Sequence, residues 1–281
     1  MSLSSTQQLL DDAVAGGVGV GAFNVITLEH AEAVVAAAEH VGVPVILQIS
    51  ENAVAFHQQR LRPLLEASAA LAHGAEVPVS LHLDHVQNES LLRDIDGTAV
   101  TSVMFDASKL QYDKNVHATR TITVWAHERR LLLEAELGEV GGKDGAHAPG
   151  VRTDPVQAAD FVAATGVDAL AVAVGSSHAM SSRDAELDYA LITRLRDNVP
   201  VPLVLHGSSG VSDQGLRAAV QAGMTKINVG TRLNVAYTRS IRSRLTDESL
   251  VDPRSYLADA RDAMTRVVEA YLCAITGAEA P

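Results

Sequence analysis

Asp84 and His85 stand side by side in the stretch Ser80-Leu81-His82-Leu83-Asp84-His85-Val86, with a further histidine at His82. An acid next to an imidazole pairs a group that moves protons with a group that ligates metals. His178 closes the run "LAVAVGSSH" and His206 opens "HGSSG", so two more imidazoles follow short apolar runs, as His85 does. Taken alone, each such histidine is more often a hydrogen-bonded structural residue than a ligand. Brought together, three neutral imidazoles with an open fourth position make a catalytic divalent-metal site, most naturally for zinc. Two glycine turns add a second chemistry. "HGSSG" (His206 to Gly210) and "NVGTR" (Asn228 to Arg232) each follow an apolar run and precede a helical stretch. Backbone N–H groups of such turns, backed by a helix N-terminus, cradle a phosphate. Either turn alone is weak evidence, because Gly-Ser is also ordinary loop punctuation.

These residues converge only if the fold brings them together. Between Gly19 and Val229, short β-branched or apolar runs alternate with longer stretches of helical period, the mark of repeated βα units. Eight runs are read as strands: Val20 to Asn24, Pro44 to Ile49, Val79 to Leu83, Thr101 to Phe105, Leu131 to Leu137, Asp168 to Val174, Pro202 to Leu205 and Thr225 to Val229. Eight parallel strands predict an α/β fold, a (β/α)8 TIM barrel spanning residues 1–281 as one domain, in preference to an open doubly wound sheet. Helices are read over Glu29 to His40, Pro63 to His73 and Asn115 to Arg129, and another opens at Asp154-Pro155 and closes at Gly166. Two additional C-terminal helices, Arg232 to Leu245 and Ser255 to Ile275, flank a polar stretch from Thr246 to Arg254.

Chemistry in this architecture sits at the carboxyl ends of the strands. Those ends carry Asn24, Ser50, Asp84 with His85, Asp106, Glu134 with Glu136, His178, His206 and Asn228, a far more ionisable set than the strands leading into them. By period two, His82 and Asp84 share a strand face while Leu81 and Leu83 face the helices. His85 comes after the strand proper in this reading and turns toward the mouth. His82 is read as a packed or supporting histidine, with ligation as the alternative.

Bulk properties narrow the classes. A 281-residue chain that is 47% hydrophobic can bury a large core, and its net charge of -12 argues against a nucleic-acid or anionic-membrane surface. A single cysteine, Cys273, excludes an intramolecular disulfide. No N-terminal basic-then-apolar segment and no membrane-length apolar run are seen, so a cytoplasmic location is expected.

The segments "GAFNV", "VSLHLDH", "TSVMFDAS", "LEAELGEVGG", "LAVAVGSSH", "PLVLHGSSG", "KINVGT" and "VDPRSYL" occur in one order along the chain. Together they resemble the class II, metal-dependent ketose-bisphosphate aldolases of the fructose and tagatose type. The resemblance implies His85, His178 and His206 as ligands of a catalytic Zn2+, and Asp84 as the proton-transfer acid. It associates Asp106 and Glu136 with a second cation, divalent or monovalent, or with a supporting role beside the first. Phosphate contacts are implied at Gly207, Ser208 and Ser209 and at Asn228, Val229, Gly230 and Thr231, with Asn24, Ser50 and Ala179 in the substrate region and Arg254 at the distal phosphate. The implied reaction is reversible retro-aldol cleavage of a small phosphorylated sugar by a homo-oligomer, dimer or tetramer.

Three features depart from the family pattern. Ala179 stands where the family commonly has glycine, which suits a phosphate turn only at negative φ. The loop acid of a "GGxED"-like pattern is represented here by Asp144, in Gly141-Gly142-Lys143-Asp144-Gly145. Met180 and the "SSRD" after it leave out a substrate lysine seen in some fructose-type members, a lean toward tagatose-type or another specificity. Rival readings are a Schiff-base aldolase using Lys226, a metal-dependent hydrolase, an aldolase for another phosphorylated sugar or keto-acid, and a non-catalytic barrel subunit that supports a catalytic relative.

Overall fold

A computed structural model of the chain describes residues 2–137, 152–176 and 182–279. Its strands are β1 Val20–Asn24, β2 Val45–Ser50, β3 Val79–Val86, β4 Ser102–Phe105, β5 Leu132–Glu136, β6 Ala169–Ala171, β7 Leu203–Leu205 and β8 Met224–Val229. Each pairs in parallel with the next and β8 returns to β1, closing the barrel. The helices are α1 Thr6–Gly16, α2 Leu28–Val41, α3 Glu51–Phe56, α4 Arg62–Gly74, α5 Glu89–Arg93, α6 Tyr112–Glu128, α7 Pro155–Thr165, α8 Tyr189–Asn198, α9 Asp213–Ala222, α10 Thr231–Arg244 and α11 Pro253–Thr276.

Strand alternation sorts the side chains into two apolar layers. Residues such as Val45, Leu47, Leu81, Leu83, Val103, Leu133 and Leu205 point outward into the core between sheet and helices. Val20, Ala22, Ile46, Met104, Leu132, Ala169 and Val204 point inward, where they meet Leu9, Leu10 and Ala13 of α1. That helix, which the βα alternation does not announce, therefore plugs the floor of the barrel. The next inward positions up the axis are polar yet buried: Gln48, His82, Glu134 and Lys226. The barrel thus grades from an apolar floor to an ionisable mouth.

Helix ends follow local chemistry. Asp154 accepts from the N–H groups of Val156 and Gln157 with Pro155 behind it, and Gly166 ends α7 in the left-handed region at φ 72°. Asp252 caps α11 in the same way, with Pro253 next, so the helix begins before Arg254 instead of after it. This corrects the expected polar connection, because an acid followed by proline is itself a helix start.

Candidate active site at the barrel mouth

The mouth is organised by an irregularity in β3. Leu83 pairs with Val103 but Val86 with Phe105, so two residues of β3 lie opposite the single Met104 of β4. The extra residue makes a bulge, and His85 sits there at φ 50°, in the left-handed region. Strict alternation would aim Asp84 and His85 to opposite faces. The bulge instead lets both reach the mouth, while Leu83 and Val86 both stay in the outer core. The strand therefore runs through His85, and a bulge turns the side chain where the sequence reading had placed the strand's end.

His85 Nε2 lies 3.1 Å from His206 Nδ1, with the rings edge to face at a centroid distance of 4.7 Å. A carboxylate backs each ring on its far side: Asp106 Oδ2 is 3.1 Å from His85 Nδ1, and Glu134 Oε1 is 2.9 Å from His206 Nε2. Carboxylate-backed imidazoles are how metal ligands are held in one tautomer and orientation. Two nitrogens on one tetrahedral zinc stand about 3.3 Å apart, given bonds of about 2.0–2.1 Å. The facing pair is already spaced as co-ligands. Asp84 completes a group whose donor atoms all lie within 4.8 Å of one another. The residues present thus suit a divalent ion.

Electrostatics agree. Burial pulls the His85 imidazole down, but the carboxylates of Asp84, Asp106 and Glu136 outweigh it and carry it up to about 9. Burial would raise Asp106, yet its hydrogen bonds from His85 and Ser108 hold it well below the usual carboxylate range. Asp84 is pushed up, chiefly by burial and against the pull of His85. Desolvation and the Lys226 charge keep His82 neutral, with its Nδ1 2.7 Å from Ser102 Oγ.

The two glycine turns are stitched to each other. Gly207 takes φ 69° to start a short 3-10 turn over Ser208–Gly210. The Ser208 hydroxyl donates to the carbonyl of Asn228, and Ser209 Oγ accepts from the Arg232 N–H at 3.2 Å. Gly230 precedes the N-terminus of α10, where a Cβ would lie 3.1 Å from Asn24 Oδ1. A 430 Å³ cavity opens between these turns and the histidines.

Of the residues singled out from the sequence, Asn24, Ser50, Asp84, His85, His206, Gly207, Ser209, Asn228, Gly230 and Thr231 line this cavity. Ser208 is a buried strut, and Val229 points into the outer core. Asp106 backs His85, and Glu136 is buried close enough to His85 to raise its basicity. Arg254 is not brought in: its side chain is 89% exposed, bonded to Asp252, and does not line the cavity. Asp144, His178 and Ala179 lie outside the described residues. Lys226, the Schiff-base candidate, is fully buried 2.7 Å from Glu134 and does not line the cavity.

Gln48 was missed. Its Nε2 donates to Asn24 Oδ1 at 2.6 Å and reaches toward Asp84 Oδ2 at 3.5 Å. The signal was a polar residue at an inward position of the apolar strand "VILQIS".

Fold and mouth together define a (β/α)8-barrel enzyme whose described donors can hold a metal ion. The family model for class-II fructose-bisphosphate aldolase matches residues 4–279. The YdjI aldolase of Escherichia coli K12 superposes with a TM-score of 0.85 at 29% identity, covering 97% of each chain. The fructose-bisphosphate aldolase of Campylobacter jejuni shares the fold, with a TM-score of 0.83 at 22% identity over 100% of this chain and 97% of the other. The chain belongs to the class II fructose-bisphosphate aldolase family, a family of lyases. No helix among the described residues is long and apolar enough to cross a membrane.

Proposed function

We propose that the protein cleaves, reversibly, a ketose 1,6-bisphosphate of the fructose or tagatose type into dihydroxyacetone phosphate and an aldehyde phosphate. The observation that supports this reading is the bulge, which sets Asp84 beside a carboxylate-backed histidine pair, across a cavity from two linked glycine turns. His85 and His206, with His178 as the third ligand implied by the family pattern, would hold zinc. That ion would supply Lewis-acid polarisation of the substrate carbonyl.

Asp84 takes the C4 hydroxyl proton as the C3–C4 bond breaks, and the bond's electron pair passes to the enediolate. The enediolate takes up a proton at C3, from Asp144 in the family pattern, to leave as dihydroxyacetone phosphate, and condensation reverses both transfers. Its burial and raised pKa suit a group that alternates between neutral and ionised forms. Gln48 limits its rotation from one side. The turns at Gly207 and Gly230, with the start of α10, orient the phosphate of the dihydroxyacetone half. Asn228, whose Nδ2 lies 3.1 Å from His206 Nε2, sits where the reacting carbons would lie. Arg254, implied by the family pattern at the distal phosphate, is exposed and bonded to Asp252 in this chain and does not line the cavity.

A cleavage screen over fructose 1,6-bisphosphate, tagatose 1,6-bisphosphate and related phosphosugars, coupled to triose-phosphate detection, tests it. Turnover of one bisphosphate that a chelator abolishes and zinc restores is expected. Turnover that survives exhaustive chelation, or none with any ketose phosphate, would overturn the reading.

A further inference from the structure

Below the mouth, the barrel axis carries a hydrogen-bonded line that the proposed reaction does not use. Thr6 Oγ1 of α1 meets Ser102 Oγ at 2.6 Å, and Ser102 Oγ meets His82 Nδ1 at 2.7 Å. His82 Nε2 lies 3.5 Å from Lys226 Nζ, which donates to Glu134 Oε2 at 2.7 Å. The other oxygen, Glu134 Oε1, is the one that meets His206 Nε2. Lys226 and Glu134 are both 0% exposed.

Stability alone is a weak reason for such a pair. Desolvating two charges offsets most of their attraction, and well-packed apolar residues of similar volume often serve the fold as well or better. The geometry offers another reason. A carboxylate bonded to one imidazole nitrogen fixes the proton there and leaves the opposite nitrogen as the donor atom. Here the opposite nitrogen is His206 Nδ1, the atom facing His85 Nε2. The Lys226 ammonium on the second carboxylate oxygen, at 2.7 Å, stops that carboxylate from rotating away. With Lys226 donating to His82 Nε2, the His82 proton falls on Nδ1 and is given to Ser102, so the lysine is held from both sides.

We propose that Glu134 and Lys226 are positioning residues, a buried ion pair that locks His206 in the tautomer presenting Nδ1 to the metal. The proposal rests on His206 being a ligand. It assigns a function to a lysine that only the rival Schiff-base reading would use, and to a glutamate that does not line the cavity.

The test measures zinc affinity by competition with a chromogenic chelator, alongside the melting temperature of the metal-free protein. Glu134→Gln is expected to weaken zinc binding about 10–100-fold, the usual effect of losing a carboxylate behind a ligating imidazole. Its nitrogen-15 spectrum should show His206 shifting from a single Nε2–H tautomer to a mixture. Lys226→Met, which leaves a buried carboxylate without its counter-charge, is expected to lower both melting temperature and affinity.

The double variant Glu134→Gln/Lys226→Met decides between roles, and it carries the test if either single variant does not fold. It should recover the metal-free melting temperature while its zinc affinity stays low, whereas a purely structural pair would recover both. Wild-type zinc affinity in the double variant overturns the proposal. His85→Ala separates the two levels: if it leaves zinc binding intact, the metal site itself is misplaced, and if it abolishes binding while the double variant does not weaken it, only the positioning role fails.

Discussion

The facing nitrogens of His85 and His206 make a quantitative prediction about metal uptake. In the metal-free protein the His85 imidazole is carried up to about 9, so near neutrality it holds a proton on both nitrogens. One is given to Asp106 and the other lies on the 3.1 Å line to His206 Nδ1. The proton therefore occupies the Nε2 lone pair that a metal would need, and binding must expel it. At pH 7 about two pH units separate the solution from that pKa, so expulsion costs about 2.7 kcal/mol, or about a hundredfold in affinity. The apparent zinc Kd is expected to fall about tenfold per pH unit from 7 toward 9 and then to level off.

Competition against chelator-buffered zinc across that range measures the slope. Calorimetry in two buffers of different protonation enthalpy counts the protons, with about one released from this group at pH 7 and almost none above the pKa. Asp106→Asn removes one of the carboxylates that raise His85, so the break in the curve should move to lower pH. A Kd that is flat from pH 7 to 9, or uptake without proton release, would refute the shared-proton geometry.

Three further outcomes follow from the same geometry. Asp84→Ala should keep its zinc content and lose about 10²–10⁴ in kcat, because it removes proton transfer and not an imidazole donor; loss of zinc in parallel with activity would make Asp84 a ligand instead. Ser208→Ala removes the hydroxyl that ties the two glycine turns, so KM for the phosphorylated substrate should rise about tenfold, the effect of one hydrogen bond, with kcat little changed; an unchanged KM would mean the turns hold their shape without it. The metal-free protein should lose stability as pH rises from about 6.5 through 9, since a histidine whose folded pKa is raised stabilises below its unfolded value and loses that contribution through its folded one. The His85 shift bounds that loss at about 3 kcal/mol, which chemical denaturation at pH 6.5 and 9.5 would detect.

Strand alternation was legible because it is local: β1 was read as Val20 to Asn24 and is found there, and the inward and outward faces of β3 follow period two up to Leu83. Features that depend on partners were not legible. Nothing in the run from Thr6 to Gly16 says that Leu9, Leu10 and Ala13 close a barrel, since their burial comes from strands far along the chain. Glu134 stood out as a strand-end acid, but its role depends on Lys226, 92 residues away, and on His206, 72 residues away. Arg254 is the reverse case: the motif marks it for a phosphate, and what this chain shows of it is an exposed side chain bonded to Asp252 at a helix N-terminus.

The bulge in β3 matters most for function because it resolves a geometric conflict that "LDH" poses on any regular strand. In the roles proposed for Asp84 and His85, a proton-transfer acid and a metal-ligating imidazole would work on adjacent atoms of one substrate, so they must converge, yet neighbours in a strand diverge. Separating them by one residue would restore the same face but place them about 6.6 Å apart along the strand, two rises of about 3.3 Å. One extra residue, with His85 at φ 50°, brings immediate neighbours to one side and leaves Leu83 and Val86 in register with the outer core. A non-glycine residue in the left-handed region carries strain of about 1–2 kcal/mol. Bonds to Asp106 on one side and His206 on the other hold His85 in that conformation. The strained residue is thus the one that joins Asp84 to the facing histidine pair, the two halves of the proposed site.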